Sequence, residues 1–216
     1  MDTAPLLQFV ADWTAHYSPT WLQLHTDDYL HARTCLEQLS QTLNRGIRRF
    51  DPDIINLRPK DMIPDIRPDA PSLRIHIAPG GMGPIPVGYY LCIRSGNRSF
   101  LSGGLYASIF GSAADMVRDR MLSDPMAWNR IVKEPAFREH FILLGQKLKN
   151  FPERYDPAYP LAPYFQQNNW YVRYPIQDAT LILPDALETV ALQMFEIMSP
   201  LIQYLNNALR KFPLPD

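Results

Sequence analysis

The chain has 216 residues, 21 of them basic and 22 acidic, so its formal net charge is −1. This balance excludes a strongly basic nucleic-acid-binding protein, and no nucleic-acid partner is expected. The hydrophobic content of 46% and the length together fit a single domain with a core of its own.

The start of the chain, "MDTAPLLQFV", lacks the basic residues and the long apolar run of a secretory signal. No apolar stretch approaches the length of about 18 residues that predicts a membrane helix. We therefore expect a cytoplasmic protein with no membrane partner.

The first third of the chain is predicted to be helical. Apolar residues at helical spacing predict a short helix over 5–16 and a longer one over 27–49. Five prolines then fall within 51–72, and they exclude a continuous helix because each lacks a backbone N–H and restricts the residue before it. A loop of this length inside a compact domain is commonly functional.

An antiparallel sheet is predicted in the middle of the chain. The segment 73–78 reads as a strand, and "GN" between the apolar runs 87–95 and 98–106 predicts a hairpin. Because side chains alternate along a strand, Arg74 and His76 should share the face opposite the isoleucines between and after them.

Helices are predicted again after the hairpin. Ser112 is expected to cap one helix, Asp124 with its following proline to begin the next, and Pro135 to begin a third. The apolar face of this third helix is expected to include Phe141 and Leu144.

The last third combines a connector, a strand and helices. The segment 147–160 reads as an irregular connector, and 169–176 reads as a strand. Two C-terminal helices are expected, with Ser199–Pro200 as the break between them. The predicted fold class is therefore α+β: one domain over 1–216, with a small antiparallel sheet, flanking helices and a C-terminal helical pair.

Two adjacent glycines, Gly103 and Gly104, interrupt the second hairpin strand just before Tyr106. Glycine inside a strand weakens it and commonly marks a bulge or a close backbone approach. The approaching group can be another part of the protein or a ligand, and the sequence leaves both open.

Cysteine and histidine patterns do not predict a metal or a cofactor. Cys35 and Cys92 are expected to be small apolar residues of a helix and a strand. No CxxC or HExxH spacing is present, so no disulfide, metal site or cofactor is expected.

Five segments carry a resemblance, in this order along the chain: "IAPGG" (77–81), "GYYLCI" (88–93), "SFLSGGLY" (99–106), "KLKNFPERYDPAYP" (147–160) and "MSPLIQYLNNAL" (198–209). Together they resemble the DUF2461 family, a family of bacterial proteins with no assigned activity. The resemblance covers about 9–210 and implies a fold and no activity.

This chain departs from the family pattern in its charged residues, which marks it as a divergent member. Asp61 and Pro64 stand where the family shows arginines, and Asn150 replaces a basic residue. Asp65, Arg67 and the pair Arg74 and His76 match the inner part of the same charged segment.

Ten residues form the predicted ligand-binding set, and no catalytic residue is assigned. Arginine and lysine side chains bind phosphate or carboxylate groups, and glycines let a ligand approach the strand backbone. A buried arginine–aspartate network that anchors the long loop explains the charged members without any ligand and is the favoured alternative. The set is Asp65, Arg67, Arg74, His76, Gly103, Gly104, Tyr106, Lys147, Lys149 and Tyr155.

Three functions fit these residues. The first is a non-catalytic binding or interaction module for a small anionic ligand or a partner protein. The second is an enzyme acting on a phosphorylated or carboxylated substrate, held by Arg67, Arg74, Lys147 and Lys149 with His76 as acid or base. The third is a homodimer that buries exposed aromatic side chains.

Overall fold

The computed structural model describes residues 1–16, 18–54, 71–79, 87–105 and 111–212, and within them the fold is α+β as predicted. The strands are β1 (Leu73–Ile77), β2 (Val87–Ile93), β3 (Ser99–Leu105) and β4 (Trp170–Ile176). The helices are α1 (Ala4–Ala15), α2 (Pro19–Leu24), α3 (Thr26–Ile47), α4 (Gly111–Ser123), α5 (Pro125–Lys133), α6 (Pro135–His140), α7 (Ala162–Phe165), α8 (Asp178–Ile182) and α9 (Ala186–Leu209).

The four strands form an antiparallel sheet in the order β1-β2-β3-β4. The predicted hairpin is confirmed, since Gly96 and Asn97 between β2 and β3 have φ values of +76° and +56°. Two consecutive residues with positive φ match the right-handed twist of a hairpin. The Asp178 carboxylate of α8 accepts hydrogen bonds from both of their N–H groups at 2.8 and 2.9 Å, so the turn is fixed to the helical layer.

One side of the sheet, here called the inner face, carries the core. Alternate residues of β1 are fully buried on this face, and Tyr89 of β2 packs against Phe195 of α9 with ring centroids 5.2 Å apart. Helix α9 crosses the sheet and also packs on α3 and α4. Each fully buried Leu, Ile or Phe of this layer stabilises the fold by about 1.5–3 kcal/mol.

The opposite side is here called the outer face. It carries Arg74 and His76 of β1, Tyr90 of β2, Phe100 of β3 and Arg173 of β4, which the strand register and alternation place together. The prediction that Arg74 and His76 share one face is confirmed, because they are half-buried while their neighbours in β1 are buried.

The predicted C-terminal helical pair is wrong, because α9 continues through Pro200 as one helix. A proline inside a helix removes the N–H that would bond to the carbonyl four residues earlier, here that of Glu196. The Ser199 hydroxyl donates to this carbonyl at 2.9 Å and so satisfies the acceptor that the proline leaves. The sequence pattern alone did not reveal that the Ser199 hydroxyl replaces the missing N–H of Pro200 as the donor to this carbonyl.

Two other local predictions differ from the structure. Helix α4 begins at Gly111, so Ser112 lies inside its first turn and is not the N-cap. Helix α6 ends at His140, and Leu144 instead forms a bridge with Tyr171 beside β4. The predicted helix start at Asp124 is confirmed, since its carboxylate accepts from the N–H of Ala127 at 3.1 Å.

No helix in the described part of the chain combines the length and hydropathy required to cross a bilayer.

Candidate functional site

A row of aromatic and basic side chains crosses all four strands on the outer face. The ring centroids of His76 and Tyr90 are 6.2 Å apart, and those of Tyr90 and Phe100 are 6.0 Å apart. The guanidinium carbon of Arg173 lies 4.1 Å from the Phe100 centroid and completes the row. The strand register explains this row. His76 lies directly opposite Tyr90, whereas Phe100 is a diagonal neighbour of Tyr90 and of Arg173 on the same face.

Arg173 is the exposed end of this row. A guanidinium stacked on an aromatic ring keeps its N–H donors in the plane of the group, where they can bind a carboxylate or phosphate in a bidentate way. The Phe100 ring therefore orients Arg173 without occupying its donors.

Arg74 lies at the other edge of the outer face, next to Cys92. Its Nε donates to the Ser72 hydroxyl at 3.3 Å. Burial raises the pKa of the Cys92 thiol, although the charges of Arg94 and Arg74 oppose the shift. Because the thiolate is the reactive form, this cysteine is not activated as a nucleophile.

The two glycines of β3 lie against the protein itself. A Cβ atom on Gly103 would lie 2.9 Å from Cδ1 of Ile202 and 3.1 Å from Sδ of Met198, both in α9. A Cβ atom on Gly104 would lie 2.3 Å from the carbonyl oxygen of Trp170 in β4, and Gly104 has a φ of +132°. Packing therefore accounts for both glycines.

Lys147 and Lys149 lie beyond the edge of the sheet opposite to β1. The segment before the connector runs along β4, with bridges between Leu144 and Tyr171 and between Lys147 and Gln167. With β1 at the far edge, four interstrand spacings, about 19 Å, separate this segment from Arg74 and His76. Both lysines are exposed. The structure does not bring these four predicted residues into one pocket.

Tyr155 anchors the connector to α4. Its hydroxyl donates to Oδ1 of Asp119 at 3.0 Å, and Arg154 forms an ion pair with the other oxygen of the same carboxylate at 3.0 Å. Burial and the carboxylates of Asp115 and Asp119 raise the pKa of the Tyr155 hydroxyl, so it stays protonated as a donor. The connector therefore packs on α4.

A buried arginine, which sequence reasoning missed, holds the same region together. Arg118 of α4 is 3% exposed and donates to the carbonyls of Phe165 and Gln167 at 2.8 Å each and to the Asp115 carboxylate at 2.6 Å. The Asp115–Arg118 spacing of three residues was the available signal, but it does not distinguish a buried arginine from an exposed one.

A second buried polar pair joins the end of α3 to the sheet. Asp51 is 1% exposed, and its carboxylate accepts from the Tyr89 hydroxyl at 2.8 Å and from the N–H of Asp53 at 3.3 Å. Burial raises the pKa of Asp51 despite these hydrogen bonds. The pair fixes the start of the segment that leads to the sheet.

Three predicted site residues, Asp65, Arg67 and Tyr106, lie outside the described residues. Within the described ranges, no group of three His, Cys, Asp or Glu side chains is placed to hold a metal ion. Of the predicted set, the structure brings together Arg74 and His76 and adds Tyr90, Phe100 and Arg173 to them. Strand alternation was the signal that could have identified these three.

A family model described as conserved hypothetical protein (DUF2461) matches residues 5–204, which is nearly the whole chain. No curated protein and no solved structure matches it.

Proposed function

The chain belongs to the DUF2461 family, and we propose that it is a non-catalytic binding module that holds a small anionic ligand on the outer face of its sheet. The observation that carries the proposal is the stacking of the exposed Arg173 on Phe100, at 4.1 Å, in a row that continues to His76.

The chemistry of this face suits a ligand with a phosphate or carboxylate and a flat apolar part. Arg173 offers a fork of N–H donors to the anionic group, and Arg74 adds a second positive charge on the same face. Tyr90 and Phe100 offer ring surface between the two arginines.

A binding module is favoured over an enzyme because of where the candidate residues lie. The enzyme alternative needs Arg67, Arg74, Lys147 and Lys149 around one substrate with His76 as acid or base. Lys147 and Lys149 lie beyond β4, at the far edge of the sheet from His76. The remaining cations of the face can bind an anion, but they supply no nucleophile–base pair for a reaction.

Thermal-shift measurements with a panel of phosphorylated and carboxylated metabolites test the proposal. A ligand present at a hundred times its Kd stabilises the native state by about 2.7 kcal/mol, which for a chain of this length raises Tm by about 5–10 °C. Replacing Arg173 by glutamine should abolish most of this rise.

Arg138→Gln is the matched control, because Arg138 is an exposed arginine of α6 and lies outside the outer face. It removes the same charge and should retain the full rise in Tm. The proposal fails if no panel member raises Tm, or if Arg173→Gln and Arg138→Gln give the same response. An Arg173-dependent dimer in size-exclusion chromatography with light scattering would instead assign the face to a second copy of the chain.

A further inference from the structure

A polar cluster lies among the helices, on the side of the sheet away from the outer face. It consists of Arg120 of α4, Trp128 of α5 and Tyr204 of α9. The Trp128 and Tyr204 ring centroids are 5.4 Å apart, and the Arg120 guanidinium carbon lies 5.7 Å from the Tyr204 centroid. Tyr164 of α7 packs edge-on against Trp128 at 5.3 Å and forms a further wall.

Each of the three side chains buries a polar atom without a hydrogen-bond partner among the described residues. The atoms are Nε of Arg120, Nε1 of Trp128 and the hydroxyl of Tyr204, and they are three of the six such side-chain atoms in that part of the chain. Trp128 and Tyr204 are 0% and 5% exposed. Buried donors in native proteins are nearly always paired, so three orphaned donors in one neighbourhood indicate an acceptor that this cluster is built to receive.

Other buried aromatic residues of the protein have the partners that this cluster lacks. Nε1 of Trp170 donates to the carbonyl of Tyr164 at 3.1 Å, and the hydroxyl of Tyr89 donates to Asp51 at 2.8 Å. Burial of an aromatic side chain in this fold therefore does not by itself leave its donor without a partner, as it is in Trp128 and Tyr204.

The chemistry of the donors defines the ligand. Nε of Arg120 and Nε1 of Trp128 can only donate, so the ligand must present acceptor oxygens. Asp124 does not supply them: one of its oxygens accepts from Nη2 of Arg120 at 3.1 Å and the other caps α5, but neither forms a hydrogen bond with the three orphaned atoms. Sharing Arg120 with Asp124 leaves too little positive charge for a phosphate dianion, whereas a carboxylate brings two acceptor oxygens and one charge.

We propose that Arg120, Trp128 and Tyr204 form a binding site for the carboxylate group of a small organic acid. The aromatic rings pack against the apolar part of the acid, and the three donors bind its oxygens. The Arg120 side chain is 41% exposed and provides the route from solvent. Burial raises the pKa of Tyr204, which keeps its hydroxyl protonated as a donor.

The test follows the four tryptophan indole N–H signals by nuclear magnetic resonance, with the Trp128 signal assigned from Trp128→Phe. The protein is titrated with sodium acetate or sodium benzoate, and a parallel titration with sodium chloride at the same ionic strength is the control. We expect a saturable shift of the Trp128 signal with both acids and no shift of the Trp170 signal, whose N–H is already paired. Tyr204→Phe should weaken the apparent Kd about tenfold or more, since a hydrogen bond to a charged acceptor is lost.

Tyr89→Phe is the matched control, because it removes the hydroxyl of another buried tyrosine and should leave Kd unchanged. In buffer without the acids, Tyr89→Phe should lower Tm, and Tyr204→Phe should not, because only the Tyr89 hydroxyl has a partner. Arg173→Gln should leave acid binding intact, which separates this site from the outer face.

The proposal is overturned if the Trp128 signal responds equally to chloride, or if its shift does not saturate. It is also overturned if Tyr204→Phe leaves Kd unchanged or lowers Tm as much as Tyr89→Phe. Transfer of magnetisation from water to the Trp128 indole, without any response to the acids, would assign the acceptor to a buried water molecule.

Discussion

Substituting alanine for single glycines tests whether Gly103 and Gly104 serve packing. The two residues are adjacent in β3 but meet different obstacles. A Cβ on Gly103 meets the flexible ends of Ile202 and Met198, at 2.9 and 3.1 Å. A Cβ on Gly104 meets backbone atoms of β4, at 2.3 Å from the carbonyl oxygen of Trp170, and Gly104 also has a positive φ.

These obstacles allow the cost of each substitution to be estimated. Overpacking that side chains can partly relieve costs about 1–3 kcal/mol, which is the expectation for Gly103→Ala. Gly104→Ala adds about 1–3 kcal/mol of backbone strain to a clash that no side-chain rotation relieves, so about 2–6 kcal/mol is expected. The difference of about 1–3 kcal/mol between the two variants corresponds, at about 2–4 °C per kcal/mol, to a Tm about 2–12 °C lower for Gly104→Ala than for Gly103→Ala.

Gly96→Ala serves as the control for strain alone. Gly96 has a φ of +76°, and the nearest atom to an added Cβ is Nε of Arg98 at 3.7 Å. Its substitution should cost about 1–2 kcal/mol. Urea denaturation followed by tryptophan fluorescence measures all three variants on one scale. The packing explanation is refuted if Gly104→Ala is no more destabilising than Gly96→Ala or Gly103→Ala.

Two further predictions concern the buried polar groups. Arg118→Met should destabilise the fold by about 2–6 kcal/mol in urea denaturation, because it leaves the two carbonyls of Phe165 and Gln167 without a donor at about 1–3 kcal/mol each. A loss below about 1 kcal/mol would show that Arg118 does not anchor this region. Asp51→Asn should change the pH dependence of stability, because a raised pKa in the native state means that folding takes up a proton above the ordinary value of about 3.8. Relative to Asp51→Asn, the natural protein should therefore lose stability as the pH rises from 4 to 8. If the difference in free energy of unfolding between the two proteins does not change with pH, the pKa of Asp51 is not raised in the native state.

Local patterns in the sequence were sufficient for most elements of this fold. Periodicity predicted α1, α3 and the strands, and the Gly96–Asn97 turn predicted the hairpin, because these features depend on neighbours in the chain. Short helices such as α2, α7 and α8 were not predicted, since four to six residues carry no measurable period.

The same local patterns predicted the site less well than they predicted the fold. Strand alternation placed Arg74 and His76 on one face, but it could not show that Lys147 and Lys149 lie at the opposite edge of the sheet. That separation depends on the strand order, which is a property of the folded sheet and not of any segment.

What the sequence determined by itself is thus the strands, most of the longer helices, the α+β class and the family. Only the tertiary structure showed the contacts of individual polar and small residues. Ser199 donates to the carbonyl that Pro200 leaves unpaired in α9, and Arg118 is buried. Gly103 lies against α9, and Gly104 lies against β4. The physical reason is that periodicity and turn chemistry are local, whereas burial and hydrogen-bond partners depend on residues far apart in the chain, such as Arg118 and Gln167.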